Sequence, residues 1–322
     1  MVSEVLQSIE SECALFLDNS QINRLHRILV SHLCEDIEEF AIDDGEIISQ
    51  FLSSKRIEGC SEKTILYYQS TIRNSLRMID KPMSTINTND IRDYLSSYQE
   101  RNKVSKVTID NTRRILSSFF SWLEDEDYIS KSPVRRIKKV KTTKMVKQVY
   151  SDETLELLRD GCKELRDLAI VDLLSSTGIR VSELVGLNIS DVNFHDRECI
   201  VLGKGDKERI VYFDARTKVH LHNYVNTRTD DNSALFVTLT KPHNRLKISG
   251  VEIRLRKIGL EMGMQDVYPH KFRRTLATRA IDKGMPIEQV QTLLGHQKID
   301  TTLEYAMVNQ SNVKSSHNRY IC

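Results

Sequence analysis

Along most of the chain apolar residues recur three and four positions apart, the period of one face of an α-helix. In residues 1–42 two such stripes predict amphipathic helices: Val5, Ile9, Ala14, Leu15 and Leu17, then Ile22, Leu25, Ile28, Leu29, Leu33 and Ile37. Asp18, Asn19 and Ser20 read as the turn between them. Residues 43–133 predict four more helices. Asp43 or Asp44 can cap one that buries Ile47, Ile48, Phe51 and Leu52, and Ser61 one that buries Ile65, Tyr68, Ile72, Leu76 and Ile79. Asn87, Thr88 and Asn89 precede Ile91, Leu95 and Tyr98, and Ser105 precedes Ile109, Ile115, Phe119, Trp122 and Leu123.

From Tyr150 the helical pattern resumes, with Ser151 capping a helix through Leu158 and another running from Leu165 to Leu174. Thr177-Gly178 breaks the chain, and Arg180 opens the next helix, which carries Glu183 and Leu184. The period then changes: Cys199–Leu202 and Arg209–Phe213 read as paired strands around Gly-Lys-Gly-Asp-Lys-Glu, with Lys204 at the hairpin tip. Pro269 suits the first turn of a helix that stops at Lys283-Gly284. A further helix starts near Pro286, carries Val290, Leu293 and Leu294, and ends at Gly295. Asp300, Thr301 and Thr302 can cap a last short helix that presents Tyr305. The expected fold is mainly α with one small antiparallel sheet.

At 322 residues and 39% hydrophobic content the chain has the material for two domains with ample cores. No run approaches a membrane span, and Glu4, Glu10 and Glu12 are unlike a signal peptide, so the expected location is cytoplasmic. Six cysteines, Cys13, Cys34, Cys60, Cys162, Cys199 and Cys322, lie scattered without a Cys-x-x-Cys pair, which indicates neither zinc nor a disulfide framework. The net charge of +2 hides an uneven distribution. Residues 1–50 hold eleven acids against two arginines, and residues 51–147 hold twenty Lys and Arg against eleven acids. A basic middle beside an acidic N-terminus suggests a module that faces DNA and an extension that avoids it. Residues 134–147 concentrate seven cations with no acid and read as an interdomain linker crossing a phosphate backbone.

Candidate chemistry gathers late in the chain. Tyr-Pro-His-Lys-Phe-Arg-Arg at 268–274 places His270 and Arg273 three apart on one helix face, near an N-terminus that favours a phosphate. Leu-Leu-Gly-His at 293–296 puts His296 just past a helix end, and Tyr305 follows nine residues later. Upstream, Thr-Gly-Ile-Arg-Val-Ser-Glu-Leu at 177–184 supplies Arg180, and the hairpin supplies Lys204. The ordered set Arg180, Lys204, His270, Arg273, His296 and Tyr305, each inside its own flanking motif, resembles the signature of the tyrosine recombinase (phage-integrase) family.

The resemblance implies a helical core-binding domain at 43–133 that contacts DNA and a mostly helical catalytic domain at 148–322. The basic linker 134–147 would join them, and 1–42 would be an acidic helical extension. Candidate DNA contacts are Lys63, Arg73, Arg77, Lys106, Arg113 and Arg114 on the helices and Arg135, Arg136, Lys138, Lys139 and Lys141 in the linker. Two guanidiniums, Arg180 and Arg273, can each present a planar fork to phosphate oxygens. No acidic cluster flanks the motifs, which argues against a two-metal nuclease, and no glycine-rich phosphate loop is present. The expectation is chemistry without metal, ATP or other cofactor.

By resemblance, Tyr305 attacks the phosphodiester, His270 takes its proton or orients the phosphate, His296 donates to a phosphate oxygen and Lys204 protonates the departing 5′-oxygen. Glu183 orients an arginine. The product would be a 3′-phosphotyrosyl enzyme, resealed by a second 5′-hydroxyl within a homotetramer on paired sites in double-stranded DNA, through a Holliday junction at the nucleoid. Residues 309–322 are available either for exchange between protomers or as a frayed tail. Two positions depart from the family pattern: Arg274, where histidine is frequent, and Met307, where a polar residue is common. The competing readings are a type IB topoisomerase that nicks and reseals, and a DNA-binding protein that does not cleave.

Overall fold

Side-chain caps fix where several helices begin. In the computed structural model Ser61, Ser105 and Ser151 accept the backbone N–H groups of Thr64, Thr108 and Thr154, and Asn87 with Asp90 forms a reciprocal capping box. The structure describes residues 8–9, 11–13, 16–17, 21–22, 25, 29, 44–142, 148–203 and 208–306, without the side chains of 304–306. The predicted turn at 18–20 and most of the helical reading of 1–42 lie outside the described residues. The chain divides into two compact units, Met1–Lys144 and Met145–Cys322.

The first unit is built on four helices, α1 (Asp44–Ile57), α2 (Glu62–Ile79), α3 (Thr88–Asn102) and α4 (Lys106–Asp125), at the positions the apolar stripes predict. Their inner faces bury Phe51, Ile65, Ile72, Ile91, Leu116, Phe119 and Phe120 to 1% exposure or less. Phe51 meets Phe119 edge to face at 5.2 Å, linking α1 to α4. The basic stretch after α4 has an inner edge that its charge conceals. Val134 is buried with this core, and Ile137 and Val140 pack against it. The Val140 N–H donates to Asp110 of α4 at 3.0 Å, and Arg113 holds the same carboxylate at 2.9 Å. Residues 134–140 are therefore built onto the bundle, while 143–147 lie outside the described residues.

The second unit is organised around α6 (Leu165–Thr177), which is apolar on almost every side. Ala169, Ile170, Val171, Leu173 and Leu174 are 2% exposed or less, as a helix apolar all round requires. Its two buried carboxylates are both paired: Asp167 with Arg166 and Arg254, and Asp172 with Arg159 and His220. Around it pack α5 (Asp152–Asp160), α8 (Ala215–Asn226), α9 (Ile248–Glu261) and α10 (Pro269–Asp282). The short α7 (Val181–Gly186) follows α6, and α11 (Ile287–Leu294) and α12 (Ile299–Ala306) follow α10. The sheet is antiparallel in the order β1 (Val192–Asn193), β2 (Glu198–Leu202), β3 (Glu208–Tyr212). Cys199 faces Val211 and Val201 faces Arg209, which turns Cys199, Val201 and Val211 inward.

Three elements go beyond the sequence reading. β1 is only two residues long, too short for alternation to mark it. Helices α8 and α9 rest on narrow stripes, Thr217, Leu221 and Tyr224 in one and Val251, Leu255 and Ile258 in the other. Among the described residues no helix is long and apolar enough to cross a membrane.

Phe119→Ala should destabilise the first unit by about 3–5 kcal/mol, because the site is enclosed by α1 and by Phe120 and cannot collapse. Urea unfolding of the full chain, followed by tryptophan fluorescence, should show a lower midpoint; an unchanged midpoint would contradict this packing.

Candidate active site

The site is assembled where α6 ends and α7 begins. Gly178 closes α6 at φ +60, a conformation that favours glycine, and a Cβ there would stand 2.7 Å from Leu276 Cδ2, which would have to shift. Arg180 is the N-cap of α7, and its backbone N–H donates to Glu183 Oε2 at 2.8 Å. Glu183 also accepts from Arg180 Nη1 at 2.8 Å and from both terminal nitrogens of Arg209, on β3, at 2.7 Å each. Burial pushes the Glu183 carboxyl up, but the hydrogen bonds from Arg209 and Arg180 outweigh it and hold the group below the usual carboxylate range. The other end of α7 is closed by Arg245, whose Nη1 reaches the carbonyls of Val185, Gly186 and Leu187 at 2.9–3.0 Å.

The C-terminal end of α11 meets this assembly. Three successive carbonyls there each accept from a different arginine. Leu293 takes Arg209 Nε at 3.3 Å, Leu294 takes Arg273 Nη2 at 2.5 Å, and Gly295 takes Arg180 Nη2 at 3.2 Å. Arg273 also donates through Nη1 to the Gly178 carbonyl at 2.9 Å, and it is 2% exposed. Gly295 has φ +64, and a Cβ on it would lie 3.0 Å from Arg209 Cδ. The predicted helix stop is therefore also the place where three guanidiniums converge.

His296 follows directly. Its N–H donates to the Gln291 carbonyl at 3.1 Å, its carbonyl accepts from Gln291 Nε2 at 3.0 Å, and its ring Nδ1 lies 2.8 Å from Thr302 Oγ1. Burial, then the charges of Arg273, Arg180, His270 and Arg209, pull the imidazole down to about 4. It is neutral at pH 7. His270 is exposed in the first turn of α10, close enough to act on His296. Arg274 is buried and donates to the Gln148 carbonyl at 3.0 Å, so at this departure from the family pattern the side chain ties α10 to the segment that precedes α5.

Of the residues singled out in the sequence, Arg180, Glu183, Arg273, His270 and His296 gather in one place. Lys204 lies outside the described residues, between the ends of β2 and β3; Tyr305 lies in α12, its side chain outside the described residues, as are Met307 and 309–322. Thr302, expected as a cap, instead lies inside α12 and is fully buried, because the helix begins at Ile299 and turns this hydroxyl toward His296. Arg209 and Arg245 were not foreseen. A signal existed for Arg209: it shares the inward face of β3 with Val211, and a cation on an inward face requires a partner. Among the described residues no group of three or more His, Cys, Asp or Glu is placed to hold a metal ion. In the first unit Lys63, Arg73, Arg77, Lys106, Arg114, Arg135, Arg136, Lys138, Lys139 and Lys141 are exposed, whereas Arg113 is half-buried on Asp110.

Glu183→Gln should destabilise the protein by about 3 kcal/mol, since two partly buried guanidiniums lose the buried carboxylate they share; a melting temperature equal to wild type would refute that dependence. For His296 the folded state binds fewer protons than the unfolded state between pH about 6.5 and about 4, so this ring lowers stability as pH falls through that window. His296→Asn should therefore gain stability relative to wild type on acidification, measured as the difference in unfolding free energy against pH.

Comparison with known proteins accords with this geometry. The sequence matches the Phage integrase family over residues 144–312, and the Phage integrase, N-terminal SAM-like domain over residues 47–130. Tyrosine recombinase XerC of Staphylococcus aureus (strain JH9) is 31% identical over 284 residues, covering 84% of this chain and 94% of that protein. Two solved structures share the fold at low identity. The XerH site-specific recombinase, in a post-cleavage complex with a palindromic difH substrate, gives a TM-score of 0.68 at 19% identity, covering 97% of this chain and 93% of that one. The lambda integrase dimer bound to a COC' core site also gives 0.68, at 17% identity, covering 90% and 87%. With the arginines and histidines of the expected motifs gathered in one site and both units matched, the chain belongs to the phage integrase family of tyrosine recombinases.

Proposed function

We propose that this protein is a site-specific DNA recombinase that cleaves and rejoins strands through Tyr305. The observation that carries the proposal is the convergence of Arg180 and Arg273 on adjacent carbonyls, Gly295 and Leu294, directly before His296. Two guanidiniums and a neutral imidazole in one place form a donor set for a phosphodiester, whose equatorial oxygens gain charge during substitution.

In this reading the Tyr305 oxygen bonds to phosphorus as the P–O5′ bond breaks. A phenol has a pKa of about 10, so its proton must leave during attack, and His270 is assigned that role. His296 donates to a phosphate oxygen. Lys204 gives a proton to the 5′-oxygen. The ester bond is exchanged, not hydrolysed, so a second 5′-hydroxyl reverses each transfer and reseals the strand without ATP. Glu183 holds Arg180 in place. Four protomers on two duplexes, with a Holliday junction between the two exchanges, complete the scheme. The exposed cations of the first unit, Lys63, Arg73, Arg77, Lys106 and Arg114, and those of 135–141 are assigned to the DNA backbone, which makes affinity fall steeply with salt. The 31% identity to a tyrosine recombinase across both units supports this outcome over a single-protomer topoisomerase.

The test is covalent trapping. Wild-type protein and Tyr305→Phe are incubated with labelled, nicked DNA fragments from either side of the protein's own gene and resolved under denaturing conditions. Wild type should give an adduct and Tyr305→Phe none. An adduct of equal yield from Tyr305→Phe would eliminate the assigned nucleophile.

A further inference from the structure

Thr302 is fully buried, and its hydroxyl lies 2.8 Å from Nδ1 of His296. It stands one helical turn before Tyr305 on α12. The backbone of His296 is gripped on both sides by Gln291, so the ring is pinned at its base by α11 and at Nδ1 by α12. A neutral imidazole carries one proton on one of two inequivalent nitrogens, and the partner of one nitrogen decides what the other can do. A threonine hydroxyl can serve Nδ1 in two ways. If it donates, the ring proton is on Nε2, which can then donate onward. If it instead turns toward the helix carbonyl four residues back and accepts from Nδ1–H, Nε2 can only accept and has nothing to offer a phosphate.

We propose that Thr302 is a positioning residue that donates its hydroxyl to His296 Nδ1, keeping the ring proton on Nε2, and thereby ties the hydrogen-bonding state of His296 to the seating of the helix that carries Tyr305. The inference rests on the reading that His296 donates to a phosphate oxygen. The direction fits the surroundings: Arg180, Arg209 and Arg273 are donors only, and an anionic oxygen that they attract is repelled by an acceptor lone pair on Nε2 but bound by an N–H there. It also gives a physical reason for a hydroxyl on the buried face of α12, where an isosteric valine would fill the same space. With α12 displaced, His296 loses the partner that selects its tautomer, so nucleophile and donor become competent together.

The full-length protein, labelled with 15N histidine, is examined at pH 7 by long-range 1H–15N correlation, with His296 assigned from its loss in His296→Asn. Wild type should show the proton on Nε2. Thr302→Val should give a mixture of tautomers, and Thr302→Ser should restore the wild-type pattern. In the trapping assay Thr302→Val should cleave about 10- to 100-fold more slowly, Thr302→Ser should recover most of the rate, and Thr302→Val should add nothing further in a His296→Asn background. A wild-type spectrum with the proton on Nδ1, or an unchanged spectrum and cleavage rate in Thr302→Val, overturns the proposal. The wild-type spectrum alone decides the direction of the hydrogen bond, even where Thr302→Val does not fold or Tyr305 proves not to be the nucleophile.

Discussion

Three arginines bound to three consecutive carbonyls constitute the constraint on which the second unit's site depends. The last turn of a helix exposes carbonyls that no intrahelical N–H can satisfy, and they carry the negative end of the helix dipole. At α11 those carbonyls, Leu293, Leu294 and Gly295, take Arg209, Arg273 and Arg180, which come from β3, α10 and the start of α7. One helix end thus fixes three guanidiniums contributed by distant parts of the chain. Glu183 supplies the charge that the carbonyls cannot, by pairing with Arg209 in a fork and with Arg180 at both backbone and side chain.

The electrostatics follow from this arrangement. Among the described residues three cations face one buried carboxylate, so the cluster keeps an excess of positive charge in a partly buried place. Burial first, and then this excess, hold His296 neutral, because a further positive charge there would lose its hydration and be repelled by Arg273, Arg180 and Arg209. A site of this kind is already polarised toward an anion before any substrate arrives, so little reorganisation is needed when phosphate oxygens gain charge. It also explains the two glycines. Gly178 and Gly295 each adopt positive φ and each lie against a side chain that a Cβ would crowd, Leu276 in one case and Arg209 in the other.

The first unit divides its cations between two tasks. Arg113 anchors Asp110, which in turn receives the Val140 N–H, so one cation of a basic stretch serves to close the fold. Its neighbour Arg114, like Lys63, Arg73 and Arg77, remains exposed to solvent. A net charge count cannot make this distinction, because it depends on which carboxylate lies within reach.

The sequence by itself determined most of the helices and the hairpin, and it singled out the candidate reactive groups. Periodicity placed α1 to α4 and α10 to α12, serine and asparagine marked several starts, and Gly178 and Gly295 marked stops, because these signals act between residues close in the chain. The residue set Arg180, Lys204, His270, Arg273, His296 and Tyr305 was legible for a related reason: each sits in a short motif of its own. The tertiary structure decided what joins those motifs. That Arg209 grips Glu183 across 26 positions, that Arg180 reaches Gly295 across 115, and that Thr302 turns from an expected cap into the partner of His296 are facts of packing. Local patterns set which way a side chain faces along its own element. Only the closing of helices and sheet around α6 determines what it meets there.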